Sequence, residues 1–404
     1  MLQDLFHTLP LGIPALMGCF VLLTDAFAQT PEGESTDSRY LGYVSAVGFF
    51  AVIACVYLLW DAEWAGFSTA TFGQMMVLGR FELATCALLA LIGGCVSLMC
   101  VEHAYEHGFD HGELYALINF AVFGMMVLVC ATNAVTLFVG LEIMSIAIYC
   151  LAAIKRTSGF AAEAALKYFI LGAFASGFLL MGLAYVYGET GSFEYGAILA
   201  SLYRAGEPST YTAIALFMIV AAFGFKIALV PFHMWTPDVY EGSPPPIAGL
   251  MATGVKTAAV ISMARIFVMV FPSGVLGWLG TDLFDALAIL AVVTMTVANL
   301  TALHQRNIKR MLGYSSVAHA GYLLIGILAA HVGAGPGSEG WGAGLGAILF
   351  YLFVYALANL AVFAVIGAIS RDGDDDITLD KLAGLATSHP VAALVLAIGM
   401  LSLA

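Results

Sequence analysis

The sequence predicts an all-α polytopic membrane protein, with about eleven complete transmembrane helices and the start of a twelfth. Three observations predict it. The 404 residues are 61% hydrophobic and only 10% charged, where a soluble domain carries about a quarter charged residues. The mean hydropathy is +0.96. Apolar runs of about 20 residues, the length a helix needs to cross a bilayer, follow one another from end to end.

The composition also excludes classes. Lys and Arg total 14 against 27 Asp and Glu, with no basic run, so nucleic acid is not a partner. The seven cysteines (Cys19, Cys55, Cys86, Cys95, Cys100, Cys130 and Cys150) lie in or beside apolar runs and form no CxxC. They read as small core residues rather than disulfides or metal ligands. There is no nucleotide fingerprint, phosphate loop or haem-attachment motif. The sequence therefore assigns this chain no cofactor or metal, and places any redox chemistry it serves on other subunits.

The runs fall at 11–28, 40–60, 81–101, 114–132, 134–154, 163–187, 211–235, 246–271, 282–303, 308–330, 343–370 and 390–404. The first ends in AFAQT, a signal-peptidase-like ending. Its flank carries Asp4 and no Lys or Arg, and Asp25 lies in the run, so it reads as a retained span. Basic residues set the orientation. Arg39, Lys155, Arg156, Arg306, Lys309, Arg310, Arg371 and Lys381 fall in one set of alternate loops, and Arg80 and Arg204 in the other. The first set faces the cytoplasm, which puts the N-terminus outside.

The loop after the third span spaces His103, His107 and His111 four apart, beside Glu102 and Glu106. On a helix this would align three imidazoles as for a metal. Gly108 and Gly112 favour a polar cytoplasmic turn instead. The fifth span holds Glu142, about 12 Å from its start. A carboxylate inside a membrane is a functional candidate by default. The sixth begins at Glu163 and carries Lys167 one turn in, close enough to the cytoplasmic face to snorkel.

The seventh span places Lys226 near mid-membrane and follows it with Pro231, which lacks a backbone N–H and disturbs the preceding turn. It is predicted to be broken, a device tolerated where freed backbone lines a cavity or is buried in protein. His233, seven residues after Lys226, is expected on nearly the same face as a relay. In the eighth span Lys256 lies ten residues past Pro246, about 15 Å along the helix. Arg265, nearer the outer surface, reads as a structural ion partner. The tenth span carries His319 among Ser315 and Ser316, a set able to hold water in a polar thread. The run Asp372–Asp376 reads as a solvated cytoplasmic loop.

With these residues in hand the chain resembles the subunit N family of NADH:quinone oxidoreductase, respiratory complex I, whose members are antiporter-like proton-channel subunits. The resemblance runs from about residue 10 to Ala404. It rests on GLEIMS at 140–145, FKIALVPFHMWTPDVYEGSPPP at 225–246, ATGVKTAA around Lys256, and NIKRMLGYSSVAHAGY at 307–322. It implies fourteen helices with two inverted five-helix repeats, each forming half a proton channel around a broken helix. The chain then divides into an N-terminal part, 1–112, a first half-channel, 113–271, and an incomplete second half-channel, 282–404. The resemblance further implies that Glu142 and Lys226 form an ion pair. Lys256 would be the central relay, with His319 towards the second half-channel. Lys167 would match the family's sixth-span lysine.

The partners implied are the paralogous antiporter-like subunits and small membrane subunits of the complex, within the lipid of a bacterial inner membrane. NADH, FMN, iron–sulfur clusters and quinone would belong to the rest of the complex. The family's second broken helix, with its own lysine, is expected in the twelfth span; this sequence stops just inside it and so reads as C-terminally incomplete.

In this reading, electron transfer elsewhere alters the Glu142–Lys226 separation, and the lysine passes its proton to Lys256. A subunit of a multisubunit Na+/H+ antiporter or of a membrane-bound hydrogenase is the alternative, and predicts ion exchange without NADH. A purely structural membrane subunit would pump unchanged without either lysine.

Overall fold

The computed structural model describes residues 7–28, 38–60, 69–272, 274–333, 340–370 and 377–404. Arg371 and the acidic run Asp372–Asp376 lie outside the described residues, as does the end of the AFAQT stretch. Eleven described helices are long and apolar enough to cross a membrane.

The chain opens with α1 (Leu9–Ala28) and α2 (Arg39–Leu59), then a small hairpin of β1 (Thr69–Thr71) and β2 (Met76–Leu78). Helices α3 (Arg80–Glu106), α4 (Gly112–Cys130), α5 (Ala134–Ala152) and α6 (Gly159–Thr190) follow. Next come a short amphipathic helix, α7 (Tyr195–Ala205), then α8 (Thr210–Ile227) and the two-turn α9 (Thr236–Gly242). Beyond these run α10 (Pro245–Met269), α11 (Gly277–Ala302), α12 (Ile308–Val332), α13 (Gly340–Ile369) and α14 (Pro390–Ser402).

Local sequence sets the helix starts. Asn133, Ser158, Ser209 and Asn307 each accept a first-turn backbone N–H, at α5, α6, α8 and α12, the usual work of an N-cap side chain. Gly191 ends α6 at φ +71°, a conformation that costs glycine little. Helices α4 and α5 pack along their lengths with Gly124 facing Gly140; a side chain on either would strike the backbone of the other helix. Membrane helices approach closely through such small residues.

The expected spans are present, with shifted limits. The third and sixth are longer than predicted, and the seventh ends at Ile227 rather than 235. The stretch TPDVYEG, between the expected seventh and eighth spans, is helix α9. The loops sort to opposite ends as predicted from alternating topology. At one end Met76 bridges Ala131 and Asn133 bridges Glu194. At the other, Asn307 bridges Thr378, Arg39 meets Glu102 and Arg156 meets Glu113.

Helix α10 forms the centre: every residue of its most apolar stretch is buried, against about a fifth for α1 and α11. Within it, Met251–Val255 widens into one π-helical turn immediately before Lys256. Such turns concentrate at functional sites.

Candidate functional site

The break after α8 is closed by specific hydrogen bonds. Ala228 adopts a left-handed conformation at φ +63°, and the Leu229 N–H returns to the Gly224 carbonyl at 2.8 Å. The Trp235 indole donates to the Phe225 carbonyl at 3.1 Å, and the Val230 N–H donates to Thr294 of α11 at 3.2 Å. Backbone freed inside a membrane needs such partners. The break therefore holds a defined shape, with Lys226 on the last turn before it.

Lys226 is buried. Its Nζ donates to Ser145 at 2.7 Å and to the Tyr149 hydroxyl at 3.3 Å, both on α5. Ser145 and Tyr149 lie three and seven residues after Glu142, so all three share one helix face. The expected direct Glu142–Lys226 ion pair is not formed. Glu142 instead accepts the Ser176 hydroxyl of α6 at 2.5 Å, and no Glu142–Lys226 contact occurs within 4.0 Å. The lysine reaches α5 one turn beyond the carboxylate, and a neighbouring helix captures the carboxylate first.

Lys256 is also buried and faces α12. Its Nζ donates to the Ser316 hydroxyl at 2.5 Å and to the Ser316 carbonyl, beneath the Tyr355 ring. Ser316 also meets the hydroxyls of Tyr240 at 3.2 Å and Tyr355 at 3.1 Å. Among the described residues, neither lysine has a carboxylate within ion-pair distance.

His319 lies one turn past Ser316. Its Nδ1 contacts the Tyr351 hydroxyl at 2.5 Å and its Nε2 the Leu403 carbonyl at 3.1 Å. Its ring lies 4.7 Å from that of Tyr355. This places it beside the Lys256 cluster, towards α13 and α14.

Two candidates lie elsewhere. His233 does not share a face with Lys226, because α8 ends at Ile227 and no helical register carries across the break. Its Nδ1 is buried without a well-formed hydrogen bond, and its ring lies 6.4 Å from Tyr314. Lys167 sits in an ion cluster, pairing with Asp238 at 2.6 Å and Glu163 at 2.7 Å. Arg310 completes the cluster against Asp238 at 2.7 Å and Glu241 at 2.5 Å. Arg265 pairs with Glu82 at 2.6 Å in a buried site, the structural role read from the sequence.

The His103 and His107 rings lie side by side, 4.1 Å apart, at the end of α3, but His111 does not join them in a group of three among the described residues. His103 contacts the Gly367 carbonyl and His107 the His103 carbonyl, and α3 ends before Gly108 turns the chain at φ +69°. Sequence reasoning missed Ser145, Tyr149, Ser176, Tyr240 and Tyr355. The spacing of Ser145 and Tyr149 after Glu142 was a usable signal; the others are brought in by neighbouring helices.

The family described as NADH:quinone oxidoreductase/Mrp antiporter, transmembrane, matches residues 131–404. The chain is 38% identical over 408 residues to the NADH-quinone oxidoreductase subunit N of Trichlorobacter lovleyi, covering 99% of this chain and 79% of that protein. It is 40% identical over 405 residues to the subunit N of Chloroflexus aggregans, covering 99% and 78%. Among solved structures it matches a chain of respiratory complex I from Thermus thermophilus with bound aureothin, with TM-score 0.76 and 32% identity, covering 98% of this chain and 78% of that one. A chain of the Mrp complex from Dietzia matches at TM-score 0.80 but 21% identity, covering 100% and 71%. That last likeness is one of fold.

Proposed function

Because the chain belongs to the NADH:quinone oxidoreductase/Mrp antiporter family, among its subunit N proteins, we propose that it translocates protons as a membrane-arm subunit of NADH:quinone oxidoreductase. Electron transfer from NADH to quinone drives it from other subunits. Those subunits hold the FMN, iron–sulfur clusters and quinone, and this chain holds no redox centre. Its partners are the paralogous antiporter-like subunits and small membrane subunits of the arm. The membrane is the bacterial inner membrane, with the N-terminus outside, as the bias of basic loops supports. Residues 113–271 form the first half-channel and 282–404 belong to the second, after an N-terminal part at 1–112.

One observation carries the reading. Two buried lysines, Lys226 and Lys256, end on hydroxyl groups rather than carboxylates, beside a broken helix and a π-helical turn. A lysine permanently paired with a carboxylate is locked as a cation. One held by hydroxyls is free to exchange its proton, because a hydroxyl both donates and accepts.

In the proposed cycle Glu142 has two positions. Turned to Ser176 it leaves Lys226 to the hydroxyls; turned to Lys226 it holds the ammonium. Two charges at about 4 Å and an effective dielectric of about 20 attract by about 4 kcal/mol, enough to decide whether the proton stays. When Glu142 withdraws, the proton moves on to Lys256, and His319 lies on the onward side. His233 and Lys167 stand apart from this axis, His233 at the break and Lys167 in the ion cluster.

The test is NADH-driven proton uptake into inverted vesicles, wild type against Lys226→Ala, at matched levels of assembled complex. Uptake and coupled NADH oxidation are expected to fall together. Unchanged values for both would overturn the reading in favour of a structural subunit.

A further inference from the structure

No hydrogen bond joins Lys226 to Lys256, and the region between them is crossed by aromatic and aliphatic hydroxyls. On the Lys226 side, its Nζ donates to the Tyr149 hydroxyl at 3.3 Å. The Tyr149 ring meets the buried Tyr168 ring edge-on at 4.8 Å. Tyr168 stacks on Trp235 at 4.4 Å. On the Lys256 side, Tyr240 lies 3.2 Å from Ser316, which receives Lys256 at 2.5 Å. Tyr355 occupies a further position on Ser316 at 3.1 Å.

The Ser316 hydroxyl has one proton and two acceptor sites. When Lys256 is an ammonium, it and Tyr355 can fill both acceptor sites, and the Ser316 proton points to Tyr240. When Lys256 is a neutral amine, Ser316 donates to it and Tyr240 donates into the vacated site. The same atoms thus serve both protonation states of Lys256 without rearranging the helices.

Tyr240 sits on α9, the short helix beyond the break. Thr236, four residues earlier and on the same side of that helix, has a buried hydroxyl with no protein partner. The flanking Asp238 and Glu241 fasten α9 to Lys167 and Arg310, so the reach of Tyr240 is fixed by ion pairs on the same short helix.

We propose that Tyr240 and Ser316 are the groups through which the proton crosses to Lys256, with the Tyr149 hydroxyl the acceptor at the Lys226 end. This rests on the reading of both lysines as proton carriers. Each hydroxyl accepts one proton on oxygen and releases its own, so every relay group ends neutral and unchanged. Overall, the Lys226 ammonium loses one proton and the neutral Lys256 amine gains one.

The experiment uses the assembled complex in inverted vesicles and measures the rates of proton uptake and of coupled NADH oxidation at matched levels of complex, in H2O and in D2O. The variants are Tyr240→Phe, Ser316→Ala, Ser316→Thr and, as reference, Lys256→Ala. Tyr240→Phe keeps the ring against Phe363 and removes only the hydroxyl. Tyr240→Phe and Ser316→Ala are expected to lower uptake by roughly tenfold or more, the scale of a lost proton-transfer group. Ser316→Thr is expected to retain most of it, with the wild-type isotope effect. Normal uptake in Tyr240→Phe and Ser316→Ala, with Lys256→Ala impaired, overturns the relay while leaving the lysine reading intact. A loss in Ser316→Thr equal to that in Ser316→Ala also overturns it, because packing rather than the hydroxyl would then matter. Normal uptake in Lys256→Ala overturns the relay and the lysine reading together.

Discussion

Lys226 donates to Ser145 at 2.7 Å, while Glu142, one turn earlier on the same helix, is held by Ser176 of the next helix at 2.5 Å. The carboxylate and the lysine therefore compete for position through two serines. Removing each serine should push the pair in opposite directions. Ser176→Ala frees the carboxylate to approach Lys226 and is expected to slow proton release, and with it coupled NADH oxidation. Ser145→Ala removes the lysine's nearest acceptor and is expected to impair proton uptake even where the complex assembles fully. Pumping rates of the two variants against Glu142→Gln check the ordering.

Lys256 gives a sharper contrast. Arginine keeps the charge but holds its proton at every physiological pH, and the site beneath Tyr355 is closed. Lys256→Arg is therefore expected to pump no better than Lys256→Ala, both at least about tenfold below wild type. Proton uptake at matched assembly decides it; normal pumping by the arginine variant would mean that charge alone suffices.

Lys167 should matter much less. Its side chain is 40% exposed and it shares Asp238 with Arg310. An ion pair of that exposure contributes about 0.5 kcal/mol. Lys167→Ala is expected to leave pumping close to wild type, whereas Arg310→Ala, which strips a partner from both Asp238 and Glu241, should lower it. The same vesicle assay reads both.

Arg265 and Glu82 form the one buried ion pair among the described residues with both side chains largely shielded. Removing one partner leaves a buried charge unpaired, which costs about 3–5 kcal/mol. Glu82→Ala is expected to lower the thermal stability of the subunit and the amount of assembled complex, without a change in proton uptake rate per assembled complex in what remains. A fall in that rate at matched assembly would put the pair in the proton path instead.

The spans, the break after Lys226 and the burial of both lysines were legible because each depends on local facts. An apolar run, a proline and a charge at mid-run can all be read along one chain. The α9 helix was not legible: TPDVYEG is short and polar, and its position depends on Lys167, Arg310 and Ser316 arriving from other helices. Helix α7 and the β1–β2 hairpin were missed because short elements at the membrane surface leave little periodicity. The Glu142–Lys226 contact was misjudged for a similar reason. Sequence spacing places both residues at depth but does not reveal that Ser176 lies nearer the carboxylate. His233 was misplaced by extending helical register across a break the same sequence predicted.

The enclosure of α10 on all sides bears on how the protein is made. A span carrying Lys256 and Arg265 has little reason to remain in lipid alone, since a charge at mid-membrane such as that of Lys256 costs at least about 2.5 kcal/mol on insertion scales. Glu82, the partner of Arg265, is on α3, which is synthesised earlier; Ser316, the partner of Lys256, is on α12, which is synthesised later. During biogenesis α10 thus finds one counterpart waiting and must be sheltered until the other emerges. Insertion of the central helix is therefore tied to translation of the chain well beyond it.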